Sequence, residues 1–73
     1  MAKPSKHPQA DVIRSFAWNC TIGQGLVGDD FPSEPDGDVI VALARVLGRP
    51  IASDDFRELE HAWQQCEQEQ ANP

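Results

Sequence analysis

The strongest constraint in the chain is residues 38–48, DVIVALARVLG, where Arg45 alone interrupts Val39, Ile40, Val41, Ala42, Leu43, Ala44, Val46 and Leu47. A segment apolar on nearly all sides is stable in water only when other chain covers it. The expectation is a core helix wrapped by the rest of a small domain. Its ends favour helix over buried strand: Asp38 suits the cap and the positive end of a first turn, Gly48 suits a left-handed C-cap, and Pro50 forbids continuation. The run is also longer than a typical strand and well short of the roughly twenty residues a membrane span needs.

With 73 residues the chain makes one domain, of a size that buries only about 60% of the surface its unfolded form exposes. Its core must therefore be small and shared among few elements. The net charge of −6 is uneven: residues 1–10 carry Lys3 and Lys6 and no acid, whereas residues 11–73 set four arginines against twelve acids. Such a body repels phosphate backbones, which attract lysine and arginine. It favours a basic protein surface, or simply solubility. Cys20 and Cys66 are too few and too far apart for a disulfide scaffold, and the opening MAKP leads into no apolar run. A cytoplasmic protein with two buried thiols, no membrane association and a monomeric state is expected.

Residues 1–8, MAKPSKHP, hold nothing to bury and read as a disordered basic arm in which His7 is an ordinary exposed histidine. A first helix is expected over 9–20, with Pro8 at its first position, Asp11 in its first turn, and Ile13, Phe16, Ala17 and Cys20 on one face beside Val12. Phe16, Trp18, Cys20 and Ile22 also alternate as a strand would, so a short strand at the end of this segment stays open. Residues 21–37, TIGQGLVGDDFPSEPDG, form a long loop rich in glycine, proline and aspartate. Leu26, Val27 and Phe31 are expected to pin it to the core, with room for a hairpin or a turn of helix. Ser53 is expected to cap a third helix over 54–68, with Asp54 and Asp55 in its first turn. Phe56, Leu59, Trp63 and Cys66 would form its apolar stripe, with Ala62 beside them, and Glu58, Glu60, Gln64, Gln65 and Glu67 its wet face. Residues 70–73 read as a disordered tail. The fold class is thus mainly α, a small three-helix domain over 9–69 with a long loop and disordered termini.

No catalytic or cofactor pattern withstands a physical reading, so a non-enzymatic chain without cofactor or metal is expected. Residues 23–28, GQGLVG, match the G-x-G-x-x-G fingerprint, but Asp29 and Asp30 follow where pyrophosphate would sit, and the chain is too short for that fold. Asp29, Asp30, Glu34, Asp36 and Asp38 lack the register of a calcium loop, broken by Pro32 and Pro35. His61 and Cys66 are five apart on a helix and point to different sides. Residues 38–69 superficially suggest a helix–turn–helix, yet the second helix opens Asp-Asp and carries glutamates rather than groove-reading side chains. No direct, specific nucleic-acid contact is expected.

What remains is a protein-binding surface. Trp18 falls off the apolar face of the first helix, with Arg14 four residues before it on the same side. Tryptophan and arginine are enriched at binding hot spots. The alternative, Trp18 packed under the long loop, stays open. Lys3, Lys6, Arg14 and Trp18 are the primary candidate contacts, and Asp29 and Asp30 in the acidic loop the secondary ones.

The chain as a whole, from its opening MAKPSKHPQADVIRSFAWNC onward, resembles the small transcription regulators of Xanthomonas phage that act on host RNA polymerase. That resemblance implies contacts with the large polymerase subunits, interference with sigma-dependent initiation, effects on termination, and a place in the host cytoplasm. It assigns no roles to individual residues. The residues themselves leave two other readings open: an anti-CRISPR or DNA-mimic inhibitor of another nucleic-acid machine, and a small helix–turn–helix repressor or antitoxin.

Overall fold

The computed structural model describes residues 7–71. Three helices, α1 (Ala10–Cys20), α2 (Gly37–Leu47) and α3 (Ser53–Ala71), make up the domain, and no strand occurs among the described residues. The alternation at Phe16–Trp18–Cys20 is carried on the helix α1. Pro8 precedes that helix rather than opening it: Gln9 is the N-cap, and its carbonyl accepts from Ile13 N–H at 3.0 Å.

The core is organised around α3, not around the most apolar segment. Leu59, Ala62, Trp63 and Cys66 of α3 are buried together with Ile13 and Ala17 of α1, Leu43 of α2 and Phe31 of the loop. α1 packs chiefly along α3 and only lightly on α2. In α2 only Leu43 is enclosed. Val39, Ile40 and Leu47 are partly covered, while Val41 and Val46 remain 55% and 54% exposed. The expectation that the domain wraps residues 38–48 is therefore wrong, for a reason of size. Two further helices and a loop can cover one face of a helix but cannot enclose it. The amphipathic helix, with one committed face, makes the better centre. Phe56, first in the expected stripe of α3, lies at the rim and is partly exposed, and Cys20 is only partly buried.

The helix ends differ from the expected caps in an instructive way. At α2 the cap is Asp36, whose Oδ1 accepts from Val39 N–H at 3.0 Å, and Asp38 lies inside the first turn. Gly48 ends α2 in the left-handed region at φ 74°, and the N–H groups of Gly48 and Arg49 both donate to Ala44 O, closing the free carbonyl end. At α3, Ser53 is the first helical residue rather than the cap. Ala52 O accepts from Phe56 N–H, and Asp55 Oδ2 reaches back to accept from Ala52 N–H at 2.9 Å. This is the carboxylate half of a capping box. α3 also runs to Ala71, past the expected end at 68.

The long connection between α1 and α2 contains two short 3₁₀ turns, Ile22–Gln24 and Gly28–Asp30. Thr21 is fully buried: its Oγ1 donates to Ala17 O at 2.9 Å, and its carbonyl accepts from both Gln24 and Leu26 N–H. Gly25 and Gly28 take positive φ, so the glycines of the GQGLVG stretch serve turns that follow a helix. The loop is fastened to α3 by Phe31, edge-on to Trp63 at 6.3 Å between ring centroids, and by Trp63 Nε1–H donating to Pro32 O at 2.9 Å. Of the three residues expected to pin the loop, Phe31 is buried and Leu26 half-buried, whereas Val27 is exposed.

Candidate functional site

Two polar constellations stand out, and only one faces solvent. The enclosed one surrounds Asp55, a carboxylate 1% exposed in the first turn of α3. Four donors converge on it. They are Ala52 N–H, both terminal nitrogens of Arg49, and His7 Nε2 at 2.5 Å from Oδ1. Arg49 also donates to Gln9 Oε1 at 2.9 Å, and Gln9 N–H donates to His7 Nδ1 at 3.0 Å. Because Nδ1 accepts a backbone proton, the ring proton of a neutral His7 sits on Nε2 and points at Asp55. The Arg49 bonds, the Ala52 N–H and the His7 bond hold the Asp55 carboxyl well below the usual carboxylate range, against the opposing effect of burial.

This network corrects the reading of His7 as an exposed residue of a disordered arm. Its side chain is 4% exposed and ties the start of the described chain to the α2–α3 connector and α3. Both ring nitrogens are engaged, Nε2 with Asp55 and Nδ1 with Gln9 N–H, so the pair fastens the start of the described chain to α3. Aspartate in a first turn was legible as a dipole-compatible residue. Nothing in the local spacing pointed to His7, 48 positions away.

The exposed constellation is the outer face of α1. Arg14 and Trp18, paired in the sequence reading, do share a face, and with Asp11 and Ser15 they line an open groove of about 280 Å³. Trp18 is 44% exposed and rests on the loop along one edge. Gly23 lies against the ring, and a Cβ built there would come within 3.2 Å of Trp18 Cζ3 and 3.3 Å of Cε3. One side of Trp18 thus packs on the loop and the other meets water. Arg14 is not a free cation. It donates to Glu69 Oε1 at 3.3 Å, an exposed pair of little energetic weight but clear position.

Asp29 and Asp30 sit in the Gly28–Asp30 turn, which is fastened to the same end of α3: Gly28 N–H donates to Gln70 Oε1 at 2.6 Å. Arg14, through Glu69, and the turn bearing Asp29 and Asp30, through Gln70, are therefore both tied to the C-terminal end of α3, beyond its expected end at 68. Lys3 and Lys6 lie outside the described residues.

Gly23→Ala tests this geometry. The added methyl would need the indole and Trp18 O to give by a few tenths of an ångström, so the Trp18 emission should shift and stability should fall by about 1 kcal/mol. An unchanged emission spectrum and midpoint would show that Gly23 does not seat the ring.

The thiols offer no activated nucleophile. Burial pushes both Cys20 and Cys66 above their ordinary range, aided at Cys20 by the charge of Asp36. Among the described residues no three His, Cys, Asp or Glu side chains gather as a metal site requires, and no helix is long and apolar enough to cross a membrane. α3, the helix a helix–turn–helix protein would lay in a groove, supplies the largest share of the core, and its exposed positions include Glu60, Glu67 and Glu69.

No family model, no curated protein and no solved structure matches this chain.

Proposed function

We propose that this chain is a small acidic regulator that acts by binding another protein, of the phage type that binds host RNA polymerase and inhibits sigma-dependent initiation. The observation that carries the protein-binding reading is Trp18, half-exposed against Gly23 and lining an open groove with Arg14. A large ring kept at the surface in one orientation loses little freedom on binding and buries much area, which is what interface hot spots share. The choice of polymerase rests on the resemblance of the chain, from its opening twenty residues onward, to the phage regulators. The acidic body supports a protein partner over nucleic acid.

The test is capture of purified bacterial RNA polymerase holoenzyme by the tagged chain, with run-off transcription from a sigma-dependent promoter as the second readout. The parent should bind and inhibit. Trp18→Ala should weaken binding about 30-fold, as loss of a hot-spot tryptophan does, with its denaturation midpoint little changed. Deletion of residues 2–6, which spares the His7 fastening, should weaken binding at low salt alone. Absence of capture, or recovery of a nuclease complex or of DNA alone from a lysate, would refute the polymerase reading. Equal binding by Trp18→Ala would remove its structural basis.

A further inference from the structure

The groove on α1 also has a charge character, and that character selects a partner. We propose that the Trp18 face receives an arginine of a basic protein segment, its guanidinium laid on the exposed indole and its charge answered by Asp11. This deepens the protein-binding reading and rests on it.

Three observations converge. The indole is preorganised: Gly23 covers one part of the ring and leaves the remainder to solvent, so a flat group can lie on it without first ordering the side chain. The groove's own cation is already committed, because Arg14 is paired with Glu69, whereas the exposed carboxylate of Asp11 makes no ion pair among the described residues. The surrounding field is negative. Neither α1 nor α3 carries a basic residue of its own in its last turn, and the cation shown at the end of α3 is Arg14, already paired with Glu69. The turn bearing Asp29 and Asp30 is fastened beside Glu69 through Gln70.

An aromatic face in a negative field is the setting in which a cation–π contact is strongest. Arginine suits it better than lysine, because a planar, weakly hydrated guanidinium stacks on an indole while its edge donates to a carboxylate. Among the described residues, an acidic segment would meet Asp11, Glu69, Asp29 and Asp30, with Arg14 as the cation lining the groove. A phosphate backbone would meet the same repulsion.

The experiment is a titration of the full chain, followed through amide and indole N–H resonances, with acetylated and amidated octapeptides of alternating Gly-Arg, Gly-Lys and Gly-Glu. The chain has two tryptophans, and Trp63, buried and bonded to Pro32 O, is the internal control. The Gly-Arg peptide should move the Trp18 indole resonance saturably and leave Trp63 in place. Gly-Lys should bind several-fold more weakly, and Gly-Glu should not bind. Trp18→Ala should reduce Gly-Arg affinity about tenfold and Asp11→Asn about threefold. If polymerase is captured through Trp18 but Gly-Arg leaves the Trp18 resonance unmoved, or Gly-Glu moves it as far, this inference is overturned and the protein-binding reading stands. If Gly-Arg binds at Trp18 and polymerase is not captured, the polymerase assignment falls and the arginine site stands.

Discussion

Trp63→Ala is expected to cost about 3–5 kcal/mol, a large part of the whole stability of a domain this small. Three losses coincide at that position. The ring is 2% exposed, so truncation leaves a cavity at the centre of α3's buried face. Phe31 loses its edge-on partner, and Pro32 O loses the Nε1–H that ties the loop to the helix. The damage should reach beyond the helix, so amides of residues 21–36 should lose hydrogen-exchange protection together with α3. Trp63→Phe separates the contributions. It keeps most of the burial but leaves Pro32 O without its donor, for about 1–2 kcal/mol. A urea midpoint for Trp63→Ala equal to the parent's would show that α3 does not hold the centre of the core.

Asp55→Asn is the second large effect, expected at about 3 kcal/mol. That is the low end for removing one partner of a buried ion pair, because Arg49 remains partly open to water. Asparagine keeps one acceptor oxygen for a site that offers four donors, and the charge that holds Arg49 is gone. The pH dependence follows from the direction of the shift. The folded carboxyl titrates well below its unfolded value of about 3.9, so its contribution is complete above that value and fades as pH falls through the folded one. Parent and variant should differ most above about pH 4 and converge in stronger acid. A constant gap in denaturation midpoint down to the most acid conditions would show that the Asp55 charge is not what stabilises the fold.

Both effects centre on α3, and that bears on what could be read from the chain. The stripe Leu59–Trp63–Cys66 was legible because a helix that buries one face must repeat its apolar residues at three and four. Gly48 was legible because a helix needs a residue tolerant of positive φ at its end, and Pro50 marks where it cannot continue. Caps were legible only as residue types. Asp36, Asp38, Ser53 and Asp55 all suit a first turn, and a displacement of one or two residues decides which side chain meets a free N–H. For the candidate site, the Arg14–Trp18 pairing followed from helical spacing. The seating of Trp18 on Gly23 and the pairing of Arg14 with Glu69, 55 positions away, did not.

The sequence by itself determined three helices and their approximate places, because periodicity and helix ends are local properties set within a few residues. It determined too that Trp18 would lie off the buried face of α1. Only the tertiary structure decided which helix became the centre. Total hydrophobicity favoured α2, but a chain this short can cover only one face of any helix, and the choice fell to the one whose apolar residues already lay on one side. Only the tertiary structure joined His7 to Asp55 and Arg14 to Glu69, since long-range polar pairing depends on how helices cross. No spacing along the chain encodes that crossing.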